Sequence, residues 1–141
     1  MSTPSDVITV VREWANKAEN DLKNAAHTLT LGRDTPTDTV CFHGQQCVEK
    51  YLKALLTFLT TPFPKTHDIG VLLALVPPKL RPKLVKSIRD RLTAYATVLR
   101  YPGSGPDVPL GEARKSVAVA RRVRKEVRRH LPRAALHRPR S

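Results

Sequence analysis

Apolar residues recur at helical spacing along five stretches of the chain, and nowhere do they alternate as a half-buried strand would require. Val7, Val11, Trp14, Ala18, Leu22, Ala25 and Leu29 mark one long amphipathic helix, with Ser5 as its N-cap and Gly32 past its end. Residues 39–60 form a second, on which Cys41, Val48, Leu52, Leu55 and Leu59 share one side. A short third helix runs from Ile69 to Val76, capped by Thr66 or Asp68 and stopped by Pro77-Pro78. Leu84, Ile88, Leu92, Tyr95 and Leu99 give a fourth, ending at the breaker that Pro102 and Gly103 open. The fifth carries Leu110, Ala113, Val117, Ala120, Val127 and Leu131. The expected fold is all-α, an antiparallel bundle of four long helices plus one short helix. Its domain spans residues 1–131, and residues 132–141 (PRAALHRPRS) form a basic tail expected to be disordered.

The second helix carries the most informative polar pattern. Opposite its apolar side stand His43, Gln46, Lys50 and Lys53, three, four and three apart, with Glu49 four residues before Lys53. A helix stays wet with generic Glu, Lys and Arg. This row mixes a titratable ring, an amide and two cations, which points to a binding site or a dimer contact; a solvated face is the alternative. After a short gap comes Lys65-Thr66-His67-Asp68, where His67 belongs to a helix start or serves as a direct ligand.

Phe42-His43-Gly44-Gln45-Gln46-Cys47-Val48-Glu49-Lys50-Tyr51-Leu52-Lys53-Ala54-Leu55-Leu56, followed by Pro64-Lys65-Thr66-His67-Asp68-Ile69, resembles the signature of the HEPN domain (higher eukaryotes and prokaryotes nucleotide-binding). The resemblance extends to Trp14 and Asp21-Leu22 upstream and to Tyr95 with Leu99-Arg100-Tyr101-Pro102-Gly103 downstream, about residues 7 to 130. It implies the same helical bundle, a homodimer, and a cognate minimal nucleotidyltransferase as protein partner in a toxin–antitoxin-like pair. Arg100 and Tyr101 look like the Arg-Tyr-Pro branch of the family, which is regarded as nucleotide-binding. Carried onto this chain, the ligand and phosphate contacts would come from His43, Gln46, Lys50, Lys53, His67, Arg100 and Tyr101.

Many members of that family are metal-independent endoribonucleases marked by an Arg and a His four to six residues apart. There the His moves the proton and the Arg stabilises the phosphorane charge. In this chain the pair with that spacing is Arg124 and His130, with five residues between them. Six positions on a straight helix turn through about 600°, which leaves the two side chains roughly 120° apart. The sequence therefore favours a non-catalytic module binding nucleotide or RNA phosphate. A toxin-type ribonuclease and a ligand-free helical adaptor are the alternatives.

Charge sharpens the partner class. The 141 residues carry a formal net charge of +13, and its distribution is uneven: residues 79–141 hold eighteen Lys and Arg against four Asp and Glu. Such a local field favours a polyanion or an acidic protein. Cys41 and Cys47, six apart on one helix, cannot bridge each other there, and no further cysteine completes a ligand set, so they read as buried thiols of a reducing cytoplasm. Neither a metal nor a cofactor is expected. No apolar run approaches the roughly 20 residues of a membrane span, and the expected location is cytoplasmic. Trp14 and Phe42 lie on or beside apolar stripes and are expected in the core or an interface.

Overall fold

The computed structural model describes residues 4–103, 105 and 107–136, apart from the side chain of Arg100. It is all-α, a bundle built from α1 (Pro4–Thr28), α2 (Thr37–Phe58), α3 (Ile69–Leu75), α4 (Lys86–Ala96), α5 (Leu110–Arg128) and a single turn, α6 (Arg133–Leu136). Short 3₁₀ turns at Leu29–Asp34 and Val98–Arg100 complete the helical content.

α2 is the axis of the molecule. Its neighbours are α1 on one side, α5 on another, and α3 with α4 across a third. Being surrounded explains why almost every residue from Val40 to Leu56 is buried, polar ones included. α1 meets it through Val11, Ala15, Ala18, Leu22 and Ala25, spaced four, three, four and three, and this alanine-rich seam permits close approach. On the α5 side, Gly44 does the same: a Cβ there would sit 3.2 Å from Ser116 Oγ and 3.4 Å from the Ser116 carbonyl oxygen.

Helix ends follow local chemistry. α1 begins at Pro4, so Ser5 lies inside its first turn rather than at the cap, and its carbonyl accepts the Thr9 hydroxyl at 3.0 Å. Proline suits that position because it has no N–H to leave unbonded. After α1 the chain turns at Gly32, whose φ of 60° is open to glycine at little cost. Of the two expected caps of α3, Asp68 serves: its carboxylate accepts the Val71 N–H at 3.1 Å, while Thr66 Oγ1 accepts the N–H of Asp68 itself at 3.0 Å and so shapes the turn before the helix.

Two boundaries differ from expectation. α4 is shorter than its apolar pattern, because Leu84 sits in the preceding proline-containing loop and Leu99 in the following 3₁₀ turn, yet both pack on the core. At the far end α5 stops at Arg128, but the packed chain continues past the expected domain end at 131. Ala135 of α6 is fully buried, and the Arg12 guanidinium of α1 donates to the Ala134 carbonyl at 2.6 and 3.0 Å. Small apolar residues in Arg133-Ala134-Ala135-Leu136 give that turn a buried side, which a count of its charges hides. The remaining expected tail, residues 137–141, lies outside the described residues.

Candidate functional site

Three carboxylates organise the polar interior, and each takes two or more donors. Asp21 of α1 receives Lys50 Nζ at 2.6 Å and His43 Nδ1 at 2.8 Å, both from α2. Glu49 of α2 receives Gln45 Nε2 at 3.0 Å, Lys53 Nζ at 3.1 Å and His67 Nδ1 at 2.8 Å. An ionised carboxylate only accepts, so both imidazoles carry a proton on Nδ1. Gln46 joins the chain by donating to Gln45 Oε1 at 2.7 Å. The Lys53 ammonium also faces two rings, 5.4 Å from the Trp14 centroid and 5.9 Å from that of Phe63. Glu19 of α1 accepts from the Tyr51 hydroxyl and from Arg124 Nε, with Arg128 Nη1 at 3.7 Å. Arg128 in turn donates to the Tyr51 oxygen at 3.2 Å.

The row His43, Gln46, Lys50 and Lys53 is therefore not a wet face. Gln46 is 9% and Lys53 7% exposed, because α1 and the segment before α3 cover the side of α2 on which they stand. Burial alone would raise the Glu49 carboxyl, but hydrogen bonds from Gln45, His67 and Lys53 outweigh it and hold the group below its ordinary value. Glu19 behaves alike: burial is overcome by Tyr51, Arg124 and the nearby guanidinium charges. The thiols of Cys41 and Cys47 are pushed up by burial, as unreactive interior groups are.

Of the residues expected to bind a ligand, the structure gathers His43 and Lys50 on Asp21, and Lys53 and His67 on Glu49, with Gln46 between. Tyr101 stands apart, 66% exposed, and its hydroxyl has no partner among the described residues. The Arg100 side chain lies outside the described residues. Arg124 and His130 are not joined by any hydrogen bond. Arg124 turns to Glu19, while His130 sits in the turn beyond the end of α5, so the continuous helix assumed for that pair does not reach it.

Sequence reasoning missed the hub at Glu19, since its partners Tyr51 and Arg124 are 32 and 105 residues away. It also missed a groove of about 410 Å³ between α1 and α5, walled by Lys23, Arg121, Arg124 and Lys125 with Glu19 as its one carboxylate. Arg124 is paired with Glu19, whereas Lys23, Arg121 and Lys125 are exposed and have no side-chain partner among the described residues. A further cluster joins α4 to α5, where Glu112 accepts from Arg91 and, at 2.6 Å, from the Tyr95 hydroxyl. Among the described residues no three of His, Cys, Asp and Glu converge as a metal would require, and no helix is long and apolar enough to cross a membrane.

No curated protein matches the chain in sequence. Among solved structures it is similar to the crystal structure of TT1696 from Thermus thermophilus, at 26% identity and a TM-score of 0.68, over 86% of this chain and 98% of that one. The family model of the HEPN domain matches residues 11–130, the span from the Ala15–Ala25 seam through α2 and its buried carboxylate network to the end of α5. This chain belongs to the HEPN domain family.

Proposed function

We propose that the protein is a non-catalytic binding module that takes nucleotide or RNA phosphate in the groove between α1 and α5. In this reading it works as a homodimer, with a minimal nucleotidyltransferase as partner in a toxin–antitoxin-like pair. The observation that supports phosphate binding is the set of three cations, Lys23, Arg121 and Lys125, in one concave groove, none of them paired among the described residues. Exposed cations without carboxylate partners attract phosphate at little desolvation cost. Lys50 and Lys53 are already neutralised by Asp21 and Glu49, so their part, like that of His43, Gln46 and His67, is to brace α2 against its neighbours. Arg100 and Tyr101 remain proposed contacts from the loop before α5.

Replacing Lys23, Arg121 and Lys125 together by Ala is expected to weaken binding of a single-stranded RNA and to lower the log–log salt slope by about two units. All three are exposed, so the circular dichroism spectrum should be unchanged. Fluorescence anisotropy from 50 to 300 mM salt checks this, and an unchanged affinity and slope would remove the groove from the proposal.

The ribonuclease alternative needs Arg124 free to meet a scissile phosphate beside His130. Purified protein is expected to cleave RNA weakly or not at all in the presence of a chelator, with no change in the residual rate on His130→Ala or Arg124→Ala. Losing a working general acid or base would slow cleavage about 10²–10⁴-fold. Metal-independent cleavage that disappears with either substitution would establish the enzyme.

A further inference from the structure

Glu19 is the one carboxylate in the groove between α1 and α5, and it runs against the groove's charge. It stands on α1 one turn before Lys23, with Arg121, Arg124 and Lys125 of α5 along the same groove and Leu22 and Ala26 as its apolar wall. Burial alone would raise this carboxyl, but hydrogen bonds from Tyr51 and Arg124 hold it below its ordinary value, so it is ionised at neutral pH. A negative charge fixed in a groove that takes phosphate repels the ligand's own charge and lowers affinity.

Holding Tyr51 and Arg124 employs only half of the carboxylate. Both donors, and the more distant Arg128, meet Oε1, and Oε2 receives no hydrogen bond among the described residues. That oxygen is not sealed in. The one side-chain nitrogen or oxygen both buried and unpartnered among the described residues is Arg89 Nε, and the Glu19 side chain keeps 17% of its surface exposed. An ionised carboxylate oxygen accepts and never donates, so the part of a ligand that lies against Oε2 has to carry a donor. Along a nucleic-acid backbone the phosphate and ester oxygens only accept. The ribose 2′-hydroxyl is the donor that recurs at every nucleotide, whereas base N–H groups change with sequence and the deoxyribose of an internal nucleotide has no donor.

We propose that Glu19 is the residue by which the groove selects ribose over deoxyribose, its Oε2 accepting the 2′-hydroxyl of a nucleotide whose phosphate lies on Lys23, Arg121 and Lys125. The inference rests on the phosphate reading of that groove and adds to it the sugar that is recognised. The carboxylate weakens the grip on every polyanion and returns the loss where a 2′-hydroxyl is present, which makes it a device of specificity rather than of affinity.

Fluorescence anisotropy of the full chain with single strands of uridine, 2′-deoxyuridine and 2′-O-methyluridine, equal in length, tests this on the wild type without any substitution. The ribose strand is expected to bind about tenfold tighter than the other two, the effect of one hydrogen bond to a charged group. In Glu19→Gln the amide oxygen stays with Tyr51 and Arg124, and its NH₂, a donor, takes the place of Oε2. That variant should bind the deoxyuridine strand more tightly than the wild type does and bring the ratio close to one. The Lys23, Arg121 and Lys125 triple replacement should weaken all three strands by a similar factor and keep the ratio. Uridine 5′-monophosphate that competes as well as the unlabelled ribose strand identifies a single nucleotide as the source of the ribose, and competition by the strand alone identifies RNA. Equal affinity for the three strands in the wild type, or a ratio that survives in folded Glu19→Gln, overturns the inference and leaves the groove reading intact. Failure of every strand to bind overturns both.

Discussion

Glu49→Ala is expected to destabilise the protein by about 3–5 kcal/mol, the usual consequence of leaving one partner of a buried ion pair unmatched. Lys53 is 7% exposed and cannot rotate into water without breaking its packing against Trp14 and Phe63. The same change removes the acceptor of Gln45 and of His67, and so unties the segment before α3 from α2. Urea unfolding should show a lower midpoint with an unchanged slope. Replacing Glu49 and Lys53 together by Leu should cost far less, because it removes both charges and fills the space. If Glu49→Ala unfolds with the wild-type midpoint, the network is not what holds α2.

The apolar half of the fold was legible because each helix announces its buried side locally. Val11, Ala18, Leu22 and Ala25 need no knowledge of α2 to be recognised as a seam, and the cap of α3 is narrowed to Thr66 or Asp68 by its neighbours alone, of which the structure uses Asp68. The polar half was not, since periodicity separates polar from apolar but not wet from paired. Lys50 and His43 depend on Asp21, which is 29 and 22 residues away, and Arg124 depends on Glu19 at a distance of 105. A row of Lys and His on a helix has the same appearance in either case. What decides is whether a neighbouring helix places carboxylates opposite, and that is a tertiary fact. Arg89 shows the converse, a cation like the others in sequence whose Nε the fold buries without a hydrogen-bond partner among the described residues.

Acid should unfold this protein early, for a reason carried by the same carboxylates. Glu19 and Glu49 sit below their ordinary value despite burial, through hydrogen bonds from Tyr51 and Arg124 on one and from Gln45, His67 and Lys53 on the other. Glu112 is lowered first by its hydrogen bond with Arg91. A carboxyl whose folded pKa lies below its unfolded one binds fewer protons in the native state throughout the interval between the two. Its contribution is thus fully present above the unfolded value, 4.5, and is lost as pH falls through the depressed folded values. The urea midpoint is expected to be flat between about pH 7 and 5.5 and to drop steeply below about 4.5. Protonation there also strands the cations Lys53, Arg124 and Arg128 in a chain that already repels itself with a net charge of +13. Glu19→Gln with Glu49→Gln should lower the neutral-pH midpoint and flatten the acid limb, since the groups that titrate are gone while their shape remains. An acid limb as steep in the double variant as in the wild type would assign the acid sensitivity to other carboxylates.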